Sequence, residues 1–117
     1  YSGEIPYTCF MAQPTYLKEN EKMIQNFLKA IKKAYDFIKN SPSSAVAQSL
    51  QPSFETTSLE SLALAVESYL AIDAWKEDLV MTEDSYIRLL SVMTNAGQIT
   101  TNTSFSSVVD NYYAKSI

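Results

Sequence analysis

The longest hydrophobic pattern in the chain lies between Pro14 and Pro42. Apolar side chains recur there every three or four positions, which is the period of one face of an α-helix. Lysines dominate the opposite side. We therefore predict a long amphipathic helix over 21–39, with Asn20 as its N-cap and Pro42 closing it. The apolar face consists of Ile24, Phe27, Leu28, Ile31, Ala34, Tyr35 and Ile38.

Two shorter helices are predicted next to the long one. Pro14 suits a first helical position, because its missing N–H would have no partner there, and this predicts a short helix through about residue 19. After the long helix, Ser41-Pro42 predicts a new helix that runs to about residue 50.

The second half of the chain shows further helix signals. The run Thr57 to Glu60 reads Thr-Ser-Leu-Glu, a capping box at the start of a helix that ends near residue 72. Thr82 is expected to cap the next helix, and Gly97 to end it. Two short terminal helices are predicted over 105–109 and 111–115.

One stretch, 5–12, has the composition of a β-strand. It reads IPYTCFMA, short and rich in Ile, Tyr, Thr and Phe. A single strand leaves its backbone N–H and C=O groups without partners. We therefore expect its sheet partner in sequence outside this chain or in another chain. The predicted fold class is mainly α, with one N-terminal strand followed by five to seven helices.

Composition supports a helical domain and excludes one class of partner. The 117 residues suit one domain or a piece of one, and 46% hydrophobic content with only 2 glycines fits a packed, helix-rich body. The net charge of −4 argues against nucleic acid, since phosphate binding needs a concentrated positive surface. The lysines of the long helix are interspersed with Glu19, Glu21 and Asp36, which indicates a solvated face.

Candidate chemistry is sparse. The chain has no histidine and one cysteine, Cys9, which excludes an internal disulfide, a Cys/His zinc site and a Ser-His or Cys-His pair within this chain. Cys9 lies in an apolar run and is interpreted as a small buried side chain rather than a reactive thiol. The adjacent acids Glu77-Asp78 and Glu83-Asp84 are interpreted as caps and solvated charge. We predict no catalytic residue, no metal and no cofactor.

Targeting signals are equally sparse. No apolar run is long enough to cross a bilayer, and no signal peptide is visible. The chain begins at Tyr1 rather than Met, so we expect additional sequence upstream.

An ordered set of motifs carries a family resemblance. The set resembles the C-terminal part of substrate-binding proteins of bacterial ABC importers, in the NMT1/THI5-like group (periplasmic-binding-protein type II) typified by nitrate-, sulfonate- and thiamine-pyrimidine-binding members. Two positions depart from the family's closing stretch, where proline is usual at Ser104 and phenylalanine at Tyr113. The motifs are GEIPYTCFMA (3–12), YLKEN (16–20), MIQNFLKAIKKAYDFI (23–38), YLAIDAWKED (69–78), NAGQI (95–99) and SFSSVVDNYYAK (104–115).

This resemblance implies a fold and a candidate site. In such proteins two α/β lobes flank a cleft, and the chain, 1–117, would be a single C-terminal fragment of that fold. The 5–12 strand would then return to the first lobe near the hinge. The resemblance places Tyr7 and Thr8 near the cleft floor and Trp75 near its rim, as ligand-binding residues. From the residues alone, structural packing of Tyr7 and Trp75 is the other interpretation.

The resemblance also implies partners and a location. The expected function is capture of a small ligand, of anion, sulfonate or pyrimidine type, and its delivery to an ABC permease without any enzymatic step. The location would be extracytoplasmic, either periplasmic or lipid-anchored at the outer face of the cell membrane. The ligand would require the missing N-terminal part, and the isolated fragment is expected to self-associate through its uncovered apolar surface.

Two other interpretations remain open. A self-contained helical interaction domain would bind a partner peptide or helix through its aromatic-rich face. A small enzyme would need a nucleophile, base or cofactor site that the sequence does not supply.

Overall fold

The structure, a computed structural model, describes residues 3–76 and 78–117. Of these residues, 61% are helical and none forms a strand. Glu77, one of the adjacent acids discussed above, lies outside the described residues. The α-helices among them are α1 (Pro14–Glu19), α2 (Glu21–Asn40), α3 (Ser43–Leu50), α4 (Leu59–Ala71), α5 (Glu83–Asn95) and α6 (Phe105–Val108), with short 3-10 turns at Gln51–Ser53 and Ala114–Ser116.

The chain divides into two compact units. One comprises the described residues up to Gln25 together with Val80–Ile117, and the other is Asn26–Leu79. The boundary falls within α2, whose apolar face has no fully buried residue.

Both prolines begin helices as predicted, and Asn20 stands at the predicted N-cap position of α2. Pro14 is the first residue of α1, and Pro42 is the N-cap of α3. The Asn20 carbonyl accepts from the Ile24 N–H at 3.0 Å, the first bond of α2. Its side-chain Nδ2 donates to the Tyr16 carbonyl at 3.0 Å. The reason is that α1 ends at this residue, and the last carbonyls of a helix need donors.

In the unit Asn26–Leu79, α3 packs against α4 around a small core. Val46, Ala47, Leu62 and Val66 are each at most 6% exposed. Apolar burial of this kind is the main stabilising term of a helical pair. At the edge of the same pair, the Ser43 hydroxyl donates to Glu67 Oε1 at 2.6 Å.

The N-cap of α4 lies one residue later than predicted. The Ser58 hydroxyl accepts from the Ser61 N–H at 3.1 Å, so the capping box beginning at Thr57 is wrong. Thr57 belongs to the preceding turn, because its N–H donates to the Phe54 carbonyl at 2.9 Å. Ser58 is therefore the first hydroxyl available to the free N–H groups of α4.

In the other unit, both ends of α5 follow the prediction. The Thr82 hydroxyl accepts from the Ser85 N–H at 3.3 Å. At the C-terminus, Gly97 has φ +69° and donates to the Thr94 carbonyl, while the Gln98 N–H donates to the Met93 carbonyl. This pair of bonds is a Schellman motif, which requires the left-handed conformation that glycine adopts freely.

The C-terminal residues are fastened to the same unit. Asn111 bonds Met81 twice: Nδ2 donates to its carbonyl at 2.8 Å, and Oδ1 accepts from its N–H at 3.1 Å. Tyr113 is 6% exposed, and its hydroxyl donates to the Leu17 carbonyl at 3.2 Å. The helix predicted over 111–115 is instead a turn followed by the 3-10 turn Ala114–Ser116.

The strand predicted over 5–12 is not formed in this structure. Residues 3–13 have neither helix nor strand. A strand is defined by hydrogen bonds to a neighbouring strand, and no strand is present among the described residues to supply them.

Candidate functional site

The segment 3–13 presents its apolar side chains to solvent. Tyr7 is 98% exposed, Met11 88% and Phe10 73%, and Thr8 is also exposed. Cys9 is exposed too, so its interpretation as a buried side chain is wrong for this structure. The apolar run around Cys9 predicted burial, but the described residues place no covering layer over it.

The base of this segment is held on α5. Arg88 Nη1 donates to the Glu4 carbonyl at 2.6 Å. Gly3 lies against the same guanidinium with φ +79°, and a Cβ there would come within 2.9 Å of Arg88 Cζ. The contacts with Arg88 therefore fix the start of the segment, Gly3 and Glu4, on α5.

Trp75 lies in the unit Asn26–Leu79, just after α4. It is half-buried, and its ring is 5.4 Å from that of Tyr69 at an interplanar angle of 53°. The turn that brings the two rings together is a second Schellman motif. Asp73 is at its left-handed position with φ +50°, and the Ala74 N–H donates to the Tyr69 carbonyl at 3.0 Å.

Asp73, in this turn, also forms an ion pair with Lys39. Lys39 Nζ is 3.8 Å from Asp73 Oδ1, and the Asp73 side chain is 79% exposed. A pair this exposed contributes little to stability. The position of Trp75 therefore depends mainly on the backbone turn and on the contact with Tyr69.

A separate concavity of about 450 Å³ lies within the other unit. One wall is α5 and the other is the loop before α6. Tyr86 links the two walls, because its hydroxyl donates to the Thr103 carbonyl at 2.9 Å and its ring meets Phe105 edge-on at 5.6 Å. Its polar lining includes the amides of Asn95 and Asn102, several hydroxyl groups and the Glu83 carboxylate. Such a surface can hydrogen-bond a small polar molecule.

The described residues offer little for acid–base or metal chemistry. Tyr113 is a titratable group whose pKa is clearly shifted. Burial raises the pKa of its hydroxyl above 10.0, and the negative charge of Glu21 raises this pKa further. A tyrosine that stays neutral beyond pH 10 is a structural hydrogen-bond donor. Among residues 3–76 and 78–117, no group of three or more His, Cys, Asp or Glu side chains is placed to hold a metal ion.

No helix within the described part of the chain has both the length and the apolar character needed to cross a membrane.

The three predicted ligand-binding residues fall in different units. Tyr7 and Thr8 are neighbours on the exposed segment, whereas Trp75 belongs to the unit Asn26–Leu79. Their role as ligand contacts stays a prediction.

Sequence reasoning did not find Arg88 or the concavity. Arg88 is the only arginine in the chain, which is a usable signal, but the concavity depends on how close residues 102–105 come to α5.

Comparison with known proteins confirms the family resemblance. Residues 3–45 match the sequence profile of the family described as NMT1/THI5 like. The chain is 28% identical over 116 residues to the "Putative binding protein YtlA" of Bacillus subtilis (strain 168), an alignment that covers 99% of this chain and 35% of that protein. No solved structure matches the chain. Both matches support the resemblance to NMT1/THI5-like binding proteins. The chain spans about a third of the length of the Bacillus subtilis protein.

Proposed function

From the NMT1/THI5-like assignment, we propose that this chain is part of an extracytoplasmic solute-binding protein that serves an ABC permease. The observation that carries the proposal is the alignment of 116 residues with a protein named as a binding protein, together with the family match over residues 3–45. In this proposal the chain is not an enzyme. It contributes to a cleft that captures a small solute and releases it to the permease.

The exposed segment supports a larger fold around this chain. In the complete protein, residues 5–12 form a strand that pairs with a sheet outside this chain. Such pairing would satisfy the backbone of the segment, and elements packed on the faces of that sheet would cover Phe10 and Met11, which are 73% and 88% exposed here. Large apolar side chains clustered on one exposed segment usually mark a surface that another element covers.

The proposed contacts follow from the side chains. The aromatic rings of Tyr7 and Trp75 offer faces on which a planar pyrimidine or an alkyl sulfonate packs. The Thr8 hydroxyl donates to an anionic oxygen, as in nitrate or a sulfonate. An anion, a sulfonate and a pyrimidine are therefore the three solute classes to test.

Calorimetric titration of the complete protein with nitrate, taurine and a hydroxymethyl aminopyrimidine tests the proposal. We expect one class to bind, and Tyr7→Ala, Thr8→Val and Trp75→Ala each to raise Kd by about tenfold, equivalent to ~1.4 kcal/mol of binding free energy. Tyr112→Ala is the control, since Tyr112 is another exposed aromatic, 67% exposed, and has no proposed contact. If all four variants bind as the unmodified protein does, these residues do not form the site.

A further inference from the structure

We propose that Arg88 is the positioning residue of the segment 3–12. Its guanidinium holds Gly3 and Glu4 on α5, so that the proposed ligand residues Tyr7 and Thr8 extend from a fixed point. The inference rests on the proposed function, because only a solute site gives the position of Tyr7 and Thr8 a functional role. The contacts of Arg88 with Gly3 and Glu4 do not depend on any solute. All the residues involved belong to one compact unit.

The first support is the hydrogen bond to the backbone. Arg88 Nη1 is 2.6 Å from the Glu4 carbonyl oxygen, and Arg88 is half-buried on α5. A hydrogen bond from a charged donor is stronger than one between neutral groups, and at 2.6 Å this one is short. The bond joins residues 84 positions apart in sequence, so it orders the segment rather than a local turn.

The second support is the glycine next to that carbonyl. A Cβ on Gly3 would lie 2.9 Å from Arg88 Cζ and 3.1 Å from Nε and Nη1, so the guanidinium lies against the position that the Cβ of another residue would take. Gly3 also has φ +79°, a conformation that other residues adopt with strain. The backbone conformation therefore favours glycine here, and a larger residue would in addition make the Arg88 guanidinium shift.

The third support is the chemistry of arginine. A guanidinium is flat and carries five N–H donors, so it can lie over a glycine Cα while one N–H bonds the neighbouring carbonyl. A lysine ammonium could donate to the Glu4 carbonyl but could not cover Gly3. The chain's single arginine is located where both properties are used.

A fixed point at Glu4 limits where the following side chains can reach. Tyr7 is three residues further along, which at ~3.3 Å per extended residue is roughly 10 Å of backbone. If residues 3–4 were released, the near end of the strand proposed over 5–12 would fray, and Tyr7 and Thr8 would move with it. Anchoring the segment reduces the conformational freedom that solute binding would otherwise have to restrict.

Hydrogen–deuterium exchange of the complete protein, read by mass spectrometry on peptides covering 4–12, tests the inference. We expect Arg88→Gln to speed exchange in these peptides by about tenfold or more, because the strand proposed over 5–12 in the complete protein loses its anchor at Glu4 and opens more often. Arg88→Lys should restore part of the protection, because the ammonium still reaches the carbonyl. Gly3→Ala should speed exchange as well, without any change at position 88.

Lys115→Gln is the matched control, since it removes one positive charge from the same unit and lies at an exposed position. Peptides from α3 and α4 are the internal reference. The inference is wrong if Arg88→Gln leaves exchange in 4–12 unchanged, or if it speeds the reference peptides equally, which would indicate general loss of stability. Because no solute is added, this result is independent of the calorimetry: unaltered exchange rejects the positioning role, and absence of binding rejects the proposed function.

Discussion

Tyr113 shows how one side chain fastens the C-terminus to its unit. It is 6% exposed, and its hydroxyl bonds the Leu17 carbonyl at 3.2 Å, with Glu21 Oε1 at 3.5 Å. Burial and the nearby carboxylate disfavour the tyrosinate, so the pKa of Tyr113 is raised above 10.0 in the folded protein.

This shift predicts how stability depends on pH. In the unfolded chain Tyr113 ionises near 10.0, before it does in the folded state. The stabilisation is therefore complete below pH 10 and is lost as the pH rises through the raised pKa of the folded state. Absorbance at 295 nm, recorded against pH for the unmodified protein and for Tyr113→Phe, should give a difference curve with its midpoint above 10. A midpoint at or below 10 would contradict the account.

The N-cap of α4 provides a second prediction at this scale. Ser58→Ala should lower the free energy of unfolding by about 1 kcal/mol, because an N–H of the first turn loses its acceptor. Thr57→Ala is the matched control, and it should have a much smaller effect, since the structure gives the Thr57 hydroxyl no capping role. Urea unfolding followed by Trp75 fluorescence measures both. An equal loss of stability in the two variants would contradict Ser58 as the N-cap and would favour the capping box predicted at Thr57.

The same pair of residues shows a limit of sequence reasoning. Thr57 and Ser58 are adjacent hydroxyl residues, and either satisfies a capping pattern. The choice is made by the turn at Phe54, which uses the Thr57 N–H. Asn20 shows a related limit: its N-cap position before α2 was predicted, but the bond from its Nδ2 to the Tyr16 carbonyl of α1 was not, because a junction between two helices needs donors for one and acceptors for the other.

At the scale of elements, the α3–α4 pair contains the clearest core. Leu62 is 6% exposed on α4, whereas Leu64, two positions later, is 57% exposed. Leu62→Ala should lower the free energy of unfolding by roughly 2–5 kcal/mol, through lost burial and the cavity left behind. Leu64→Ala should stay within about 0.5 kcal/mol.

Both leucine variants can be followed by Trp75 fluorescence during urea unfolding, because Trp75 lies in the same unit as α3 and α4. A similar loss of stability for the two variants would contradict the assignment of the core.

Helices were the most predictable elements, for a physical reason. Their periodicity is local, and Pro14, Pro42, Thr82 and Gly97 define ends through backbone chemistry that the sequence states directly. The strand over 5–12 depends on a partner that the described residues do not contain. Composition can favour a strand, but only a neighbouring strand can form one.

At the scale of the whole molecule, the exposed apolar segment predicts association. The 117-residue chain alone should form dimers or larger species at tens of micromolar, measured by light scattering, because Tyr7, Phe10 and Met11 remain exposed. Replacing all three with serine should shift the population toward monomer. A clean monomer for the unmodified chain at this concentration would contradict the prediction.

The candidate site was only partly accessible from sequence. Tyr7, Thr8 and Trp75 were proposed from the family resemblance, because no local pattern marks a ligand contact that depends on distant parts of a chain. The concavity beside α5 was missed because it forms where residues 102–105 meet that helix. Arg88 was missed because its partner is a backbone carbonyl 84 positions away.

The central claim is that this chain supplies one part of a solute site that the rest of the protein completes. Its most direct test is calorimetric titration of the complete protein and of the 117-residue chain, side by side, with nitrate, taurine and a hydroxymethyl aminopyrimidine. We predict that the complete protein binds one of these solutes and that the 117-residue chain binds none with a Kd of about 1 mM or better, a threshold near 4 kcal/mol of binding free energy. Binding at that strength by the chain alone, or no binding by the complete protein, would contradict the account.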